Sequence, residues 1–286
     1  VSQGVYFLAN DTVLDQTLGF LNSFRTYNPD IPLCLVPFAD DDAQIRSHAQ
    51  RYRFTVWSDD AVLRRCDEIS QAFHDGATAG QYRKLAMWTG DFDEFIYIDT
   101  DTIVLEPVDF AFHHLSRYDF LTSHSNYPHL RQWVWRDSIE TTGALTAEQI
   151  AFAANTGFIV SRAGLLDPAK VAADLAAPLA LASHMTLLCA EQPLLNYLIV
   201  TSGRPYSSLS LVAAQTGDPD IPLEQWAGGD IGRVEEGRLV PFDCRRVLLV
   251  HWAGEWQRVR SEGGTVPYHE LWQHYRAMGD RPLVGG

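Results

Sequence analysis

The stretch Glu94-Phe95-Ile96-Tyr97-Ile98-Asp99-Thr100-Asp101-Thr102-Ile103-Val104 reads as an apolar strand that runs into two carboxylates one residue apart. Strand side chains alternate with a period of two, so Asp99 and Asp101 are expected to leave the backbone on the same side. Two oxygen donors converging at a strand terminus suit a hard divalent cation, Mg²⁺ or Mn²⁺. A cation held there is placed to neutralise a departing diphosphate. An Asp-x-Asp pair also arises by chance, and then it caps a turn or the next element. The apolar strand before it and the residues downstream favour the metal reading.

Working outward, strand-like runs alternate with helical periodicity through the first 105 residues. Residues 4 to 9 form a strand candidate, and 11 to 27 an amphipathic helix with Leu14, Leu18, Leu21 and Phe24 on one stripe. Asn28-Pro29-Asp30 breaks that helix. A second strand over 33 to 38 is followed by a polar helix through residue 52, a short third strand over 54 to 57 and a helix over 59 to 73. Residues 74 to 80 read as a loop, and 81 to 89 as a helix leading into the Asp99/Asp101 strand. Repeated β-then-α units predict a mostly parallel α/β sheet with helices on both faces. Ligands in such sheets sit beyond the carboxyl ends of the strands, where Asn10-Asp11 and Asp99-Asp101 fall.

The second half is less regular. Residues 118 to 123, 155 to 161 and 247 to 251 read as strands, and 191 to 200 and 268 to 278 as helices. Residues 202 to 241 are rich in Gly and Pro with little periodicity. With no repeat, low-complexity tract or composition shift to mark a linker, one domain over 1–286 is expected. Its regular part, 1–105, ends just after the Asp99/Asp101 pair, and 106–286 is the variable second half.

Composition narrows the function classes. The chain has 286 residues, enough for a substantial core, and its hydrophobic and charged fractions are those of an ordinary globular protein. The 22 Lys and Arg against 36 Asp and Glu give a formal net charge of −14, a poor match for nucleic acid or an anionic membrane. Cys34, Cys66, Cys189 and Cys244 are scattered and form no CxxC pair, which fits reduced thiols and a cytoplasmic location. The N-terminus has no basic flank or long apolar core, so no signal peptide is expected, although the chain opens on Val1 rather than Met. The Ala/Leu-rich stretch 171–183 contains Asp174 and Pro178 and is too short to span a membrane. Peripheral association with a membrane stays open, although 276–286 holds only two positive residues, too few for a polybasic tether.

Six landmarks follow one another in order: Leu8-Ala9-Asn10-Asp11, Tyr82-Arg83-Lys84-Leu85, Asp99-Thr100-Asp101, Asn155-Thr156-Gly157-Phe158, Glu191-Gln192-Pro193-Leu194-Leu195-Asn196 and His251-Trp252-Ala253-Gly254. In this the chain resembles the GT-A glycosyltransferases, specifically the retaining group that includes glycogenin and the bacterial lipooligosaccharide galactosyltransferases. The resemblance implies a GT-A fold, with 1–105 as the nucleotide-binding half and 106–286 as the acceptor half. It also implies transfer of a sugar from a nucleotide-diphosphate donor, expected to be UDP-linked, to an unknown acceptor (a glycan, lipid or small molecule). It implies Asp99, Asp101 and His251 as ligands of Mn²⁺, with Mg²⁺ as the alternative. It places Ala9, Asn10, Asp11, Arg83, Lys84, Asp99, Thr100, Gly254 and Arg258 at the donor, and Asn155, Glu191 and Gln192 at the reacting centre. Retention of anomeric configuration is implied, by front-face attack or a short-lived glycosyl-enzyme.

Each landmark also has a reading of its own. Asn10 and Asp11 could bond a nucleobase or ribose, or equally cap the next helix. Arg83 and Lys84 are a cationic pair upstream of the metal strand in an acidic chain, with a solvated helix charge as the alternative. His251 ends an apolar strand, and imidazole beside two carboxylates tilts the metal toward Mn²⁺. Gly157 would allow close backbone approach. Glu191 and Gln192 begin a helix, where Glu is favoured by the dipole in any case.

Tyr127, His129, Trp133 and Trp135, with Arg131 and Arg136, could line an acceptor site, although packing explains such a stretch as well. Two departures from the family stand out. Gln257 occupies the place of a lysine that contacts the diphosphate, with Arg258 beside it, and Val13 stands near the place of a tyrosine. Gln257 is the best support for a rival reading as a non-catalytic relative that binds without turnover. A sugar nucleotidyltransferase is the other rival, but it carries a glycine-rich basic loop after its first strand, which Leu8-Ala9-Asn10-Asp11-Thr12 is not.

Overall fold

Along the first strand, β1 (Gln3–Ala9), Tyr6 and Leu8 enter one apolar cluster while Val5, Phe7 and Ala9 enter another. This is period-two alternation with both faces covered. The computed structural model describes residues 1–243 and 245–278. Cys244 and the end of the 276–286 segment lie outside the described residues.

The remaining strands follow in chain order. They are β2 (Leu33–Pro37), β3 (Phe54–Val56), β4 (Glu94–Ile98), β5 (Thr102–Val104), β6 (Phe120–Thr122), β7 (Phe158–Arg162) and β8 (Tyr206–Ser208). After them come β9 (Leu223–Trp226), β10 (Gly232–Glu235), β11 (Arg238–Pro241) and β12 (Val247–His251). The central sheet has seven strands in the order β3-β2-β1-β4-β7-β6-β8. Its pairings are parallel except those of β7, which runs against both β4 and β6. The chain builds outward from β1 to β2 and β3, then returns to place β4 on the other side of β1. The crevice between the carboxyl ends of β1 and β4 is therefore a topological switch point, the usual ligand position in an open α/β sheet.

A three-stranded sheet in the order β5-β12-β9 stands beside the first. Its strands and the helix His269–Met278 enclose a third apolar cluster around Trp252, Leu271 and Tyr275. β10 and β11 form an antiparallel hairpin. No helix among the described residues is long and apolar enough to cross a membrane.

The elements differ from the sequence expectations at five places. The run 94–104 is two strands rather than one, and Asp99-Thr100-Asp101 is the turn that carries the chain from the central sheet to the small one. Asp99 and Asp101 thus converge through a turn and not through strand alternation. Residues 11 to 27 begin with a short 3-10 turn, Asp11–Val13, before the helix Leu14–Tyr27. The polar helix after β2 is two short pieces, Ala43–Ser47 and Ala49–Tyr52. Residues Gly80–Thr89 form a tighter 3-10 helix, whose three-residue repeat aligns the buried Tyr82, Leu85 and Trp88. The stretch 202–241, patternless in sequence, holds β8 to β11 and the helix Leu209–Thr216.

Candidate active site

His251 reaches the two aspartates through strand pairing. β12 lies antiparallel to β5 with His251 opposite Thr102, and the Trp252 N–H donates to the Asp101 carbonyl at 2.9 Å. His251 Nε2 lies 3.2 Å from Asp101 Oδ1 and 3.8 Å from Asp99 Oδ2. One ligand atom from each of the three lies within 4.8 Å of the others. Two carboxylates and an imidazole make a donor set for a divalent cation of the first transition row, and hard Mg²⁺ fits the carboxylates better than the imidazole. The local backbone keeps room for it. A Cβ on Gly157 would sit 2.4 Å from His251 Cε1 and 2.8 Å from Asp99 Oδ2, so only glycine fits against the ligands. Asp99, Asp101 and His251 could therefore hold a divalent metal.

Around these three groups the carboxylates of Asp99, Asp101, Glu191 and Glu224 outnumber the cationic groups of Lys84 and His251. Burial opposes the His251 imidazolium, yet Asp101 and Glu224 outweigh it and hold the pKa well above the usual histidine value. Burial likewise disfavours the Asp101 carboxylate, and His251 more than compensates, so its pKa is lowered. Lys84 is buried, with Nζ 3.1 Å from Asp99 Oδ1 and 2.7 Å from Glu191 Oε1. Its burial is outweighed by those two carboxylates, which raise its pKa. Burial raises the Glu191 pKa despite Lys84. The Tyr97 hydroxyl donates to Asp99 Oδ1, and the Tyr97 ring lies 4.7 Å from Lys84 Nζ.

The reacting-centre candidates meet beside this network. Thr156 Oγ1 donates to Glu191 at 3.1 Å, and the Thr156 N–H donates to Gln192 Oε1 at 3.2 Å. Gln192 Nε2 in turn donates to the Trp133 carbonyl at 3.0 Å. Asn155 Oδ1 accepts from the Gly157 N–H at 2.6 Å and so shapes the backbone that passes Asp99 and His251. Asp99, Asp101, His251, Lys84, Asn155, Glu191 and Gln192 thus form one connected cluster.

The donor-side candidates divide. Thr100 is buried and donates to the Leu8 carbonyl at 3.3 Å, tying the turn to β1, and the Ala9 carbonyl accepts from the Phe38 N–H. Asn10 Nδ2 donates to Asp41 at 3.0 Å. Asp11 does cap a helix, but not the one that follows it. Its carboxylate accepts the Gln44 and Ile45 N–H groups, both at 3.0 Å, at the start of Ala43–Ser47, because the loop after β2 folds over the end of β1.

Arg83 is buried rather than solvated. It forks onto Asp67 at 2.9 and 2.8 Å and donates to the Pro37 carbonyl, so its charge is taken up by Asp67. Gly254 has φ +78°, the left-handed region glycine favours, and starts the helix Glu255–Glu262. Arg258 is exposed and held by Glu255 at 2.7 Å on its own helix, and Gln257 beside it is exposed. In the aromatic stretch Trp135 is core, whereas Trp133 and Tyr127 remain partly exposed.

Sequence reasoning missed Glu224, Tyr97 and Ser123. Glu224 is buried, and its Oε1 lies 2.7 Å from His251 Nδ1. It stands in the stretch without periodicity, so nothing in the sequence pointed to it. Tyr97 could have been found, since it shares strand parity with Asp99 two residues on.

At the level of sequence, no family model and no curated protein matches the chain. Solved structures do. The fold is similar to the galactosyltransferase LgtC, solved with donor and acceptor sugar analogs, at TM-score 0.57 and 12% identity over 96% of this chain and 95% of that one. It is also similar to the bifunctional glycosyltransferase WbbM, at TM-score 0.54 and 12% identity over 96% of this chain and 51% of that one. The Streptococcus pneumoniae glycosyltransferase GlyE matches at TM-score 0.49 and 14% identity over 96% of this chain. The chain spans 60% of GlyE's length and about half of WbbM's. The fold is the GT-A fold, on the likeness to LgtC and WbbM. At such identities the likeness speaks to fold, and function is argued from the site.

Proposed function

We propose that the chain is a metal-dependent glycosyltransferase, acting as one unit over residues 1–286. It moves a sugar from a UDP-linked donor to an acceptor hydroxyl with retention of configuration. The observation that carries this reading is the convergence of Asp99, Asp101 and His251 at the switch point of a GT-A sheet, around a gap that Gly157 keeps open.

Asp99, Asp101 and His251 hold the cation, Mn²⁺ in preference to Mg²⁺, which when bound supplies positive charge against the diphosphate oxygens. Lys84 and Tyr97 fix one oxygen of Asp99 and leave Oδ2 on the His251 side. Gln192, held at both ends of its amide, presents a polar edge to the sugar without the freedom to rotate. Glu191 is buried and engaged by Lys84 and Thr156, which makes it a poor nucleophile. That favours attack on the face the diphosphate leaves from, with a diphosphate oxygen receiving the acceptor's proton. Preorganised charge of this kind, rather than a mobile base, carries the rate enhancement.

The test is hydrolysis of a panel of nucleotide sugars with Mn²⁺, Mg²⁺ or chelator. The expected result is slow turnover of one UDP-sugar that requires Mn²⁺ and is lost in Asp101→Ala. Proton NMR of the released sugar should show the donor's anomer first. The inverted anomer would remove the retaining assignment, and no turnover with any donor would favour the non-catalytic reading.

A further inference from the structure

We propose that Glu224 is the positioning residue for His251, fixing which imidazole nitrogen faces the cation. The inference rests on the metal-site reading above. Glu224 lies on β9, which pairs in parallel with β12, and in register it stands opposite Leu249, two residues before His251. A long side chain spans that diagonal. Oε1 lies 2.7 Å from His251 Nδ1, and the Ser123 hydroxyl donates to Oε2. The Glu224 main-chain carbonyl accepts from His124 Nε2 at 2.7 Å, which anchors the same residue a third time.

With both carboxylate oxygens engaged, Glu224 has no freedom to turn away. A carboxylate takes a hydrogen bond and gives none, so His251 must carry its proton on Nδ1. Nε2 then faces Asp99 and Asp101, 3.8 and 3.2 Å from their oxygens, and it is the Nε2 proton that a cation would displace to make this nitrogen the ligand. Burying a carboxylate is costly, and a neutral side chain would fill the same space. What a carboxylate adds is a fixed tautomer and a more basic ligand nitrogen, as outer partners of metal-bound histidines generally do. The same residue joins the metal ligands to the loop after β6. Ser123 and His124 both hold it, and the His124 carbonyl accepts from the Asn155 N–H at 3.3 Å.

Mn²⁺ affinity is measured without nucleotide, by titration calorimetry and by the Mn²⁺ electron paramagnetic resonance signal, on the wild type, Glu224→Ala and Glu224→Gln. Circular dichroism and melting curves establish that each is folded. Glu224→Ala should bind Mn²⁺ roughly 10- to 100-fold more weakly. Glu224→Gln keeps an acceptor for Nδ1 without the charge, so it should recover most of the affinity, staying within roughly tenfold of the wild type. If Glu224→Ala does not fold, Glu224→Gln and Ser123→Ala carry the test. Each should weaken Mn²⁺ binding, and nitrogen-15 spectra with diamagnetic Mg²⁺ should show His251 protonated on Nδ1 in the wild type.

Affinity in folded Glu224 variants equal to that of the wild type, or a His251 protonated on Nε2 and not on Nδ1, would overturn the assignment of Glu224 alone. Failure of the wild type to bind Mn²⁺ would overturn the metal reading and this inference together.

Discussion

Replacing Lys84 by Met would leave the Glu191 carboxylate buried with Thr156 as its side-chain partner, and Asp99 without its ammonium. Breaking a buried pair from one side costs about 3–5 kcal/mol, and urea unfolding of Lys84→Met should show a loss of that order. Gly157→Ala pushes a methyl into His251 and Asp99. Overpacking of this kind costs about 1–3 kcal/mol, and Mn²⁺ affinity should fall with it in calorimetry. His251 gives a pH dependence with a definite sign. Its folded pKa is raised, so its contribution to metal-free stability is complete below the unfolded value of about 6.5 and is lost as pH rises through the folded value. A cation must displace that proton, so Mn²⁺ binding should strengthen over the same rise. Melting curves across this range should show the metal-free protein weakening while the Mn²⁺-induced shift grows.

At the scale of elements, the site depends on a turn and a pairing. β4 ends at Ile98, Asp99-Thr100-Asp101 crosses to β5, and β12 pairs with β5 to bring His251 beside Asp101. The two carboxylates and the histidine were legible in the sequence because each follows an apolar strand. Their means of convergence was not legible, since an unbroken apolar run looks the same whether it serves one sheet or two. The first three strands and the long helices matched their periodicity, where local pattern and burial agree. Glu224 was hidden because short strands between glycines leave no pattern to read. Asp11 could be read as a cap, but which helix it caps depends on how the loop after β2 folds back. Asp11→Ala should speed hydrogen exchange at the Gln44 and Ile45 amides while leaving β1 protected.

For the whole molecule, the strand order places every part of the site at one end of the sheet. The ends of β1 and β4 flank the switch point, and Asn155 and Gly157 precede β7, which runs back from the same edge. The strand order was within reach of the βα alternation in the first half, while the second sheet and its hairpin were not. On the proposed reading, a chain with a net charge of −14 would need a cation at the site to receive a diphosphate, since Arg83 and Arg258 are held by carboxylates elsewhere. The most direct test of the account is therefore a thermal-shift titration of UDP with and without Mn²⁺, on the wild type and on Asp101→Ala. With Mn²⁺ and UDP at a hundred times its dissociation constant, the wild type should gain about 2.7 kcal/mol. That gain should vanish without the metal or without Asp101. A UDP shift of the same size in chelator, or in Asp101→Ala, would contradict the account.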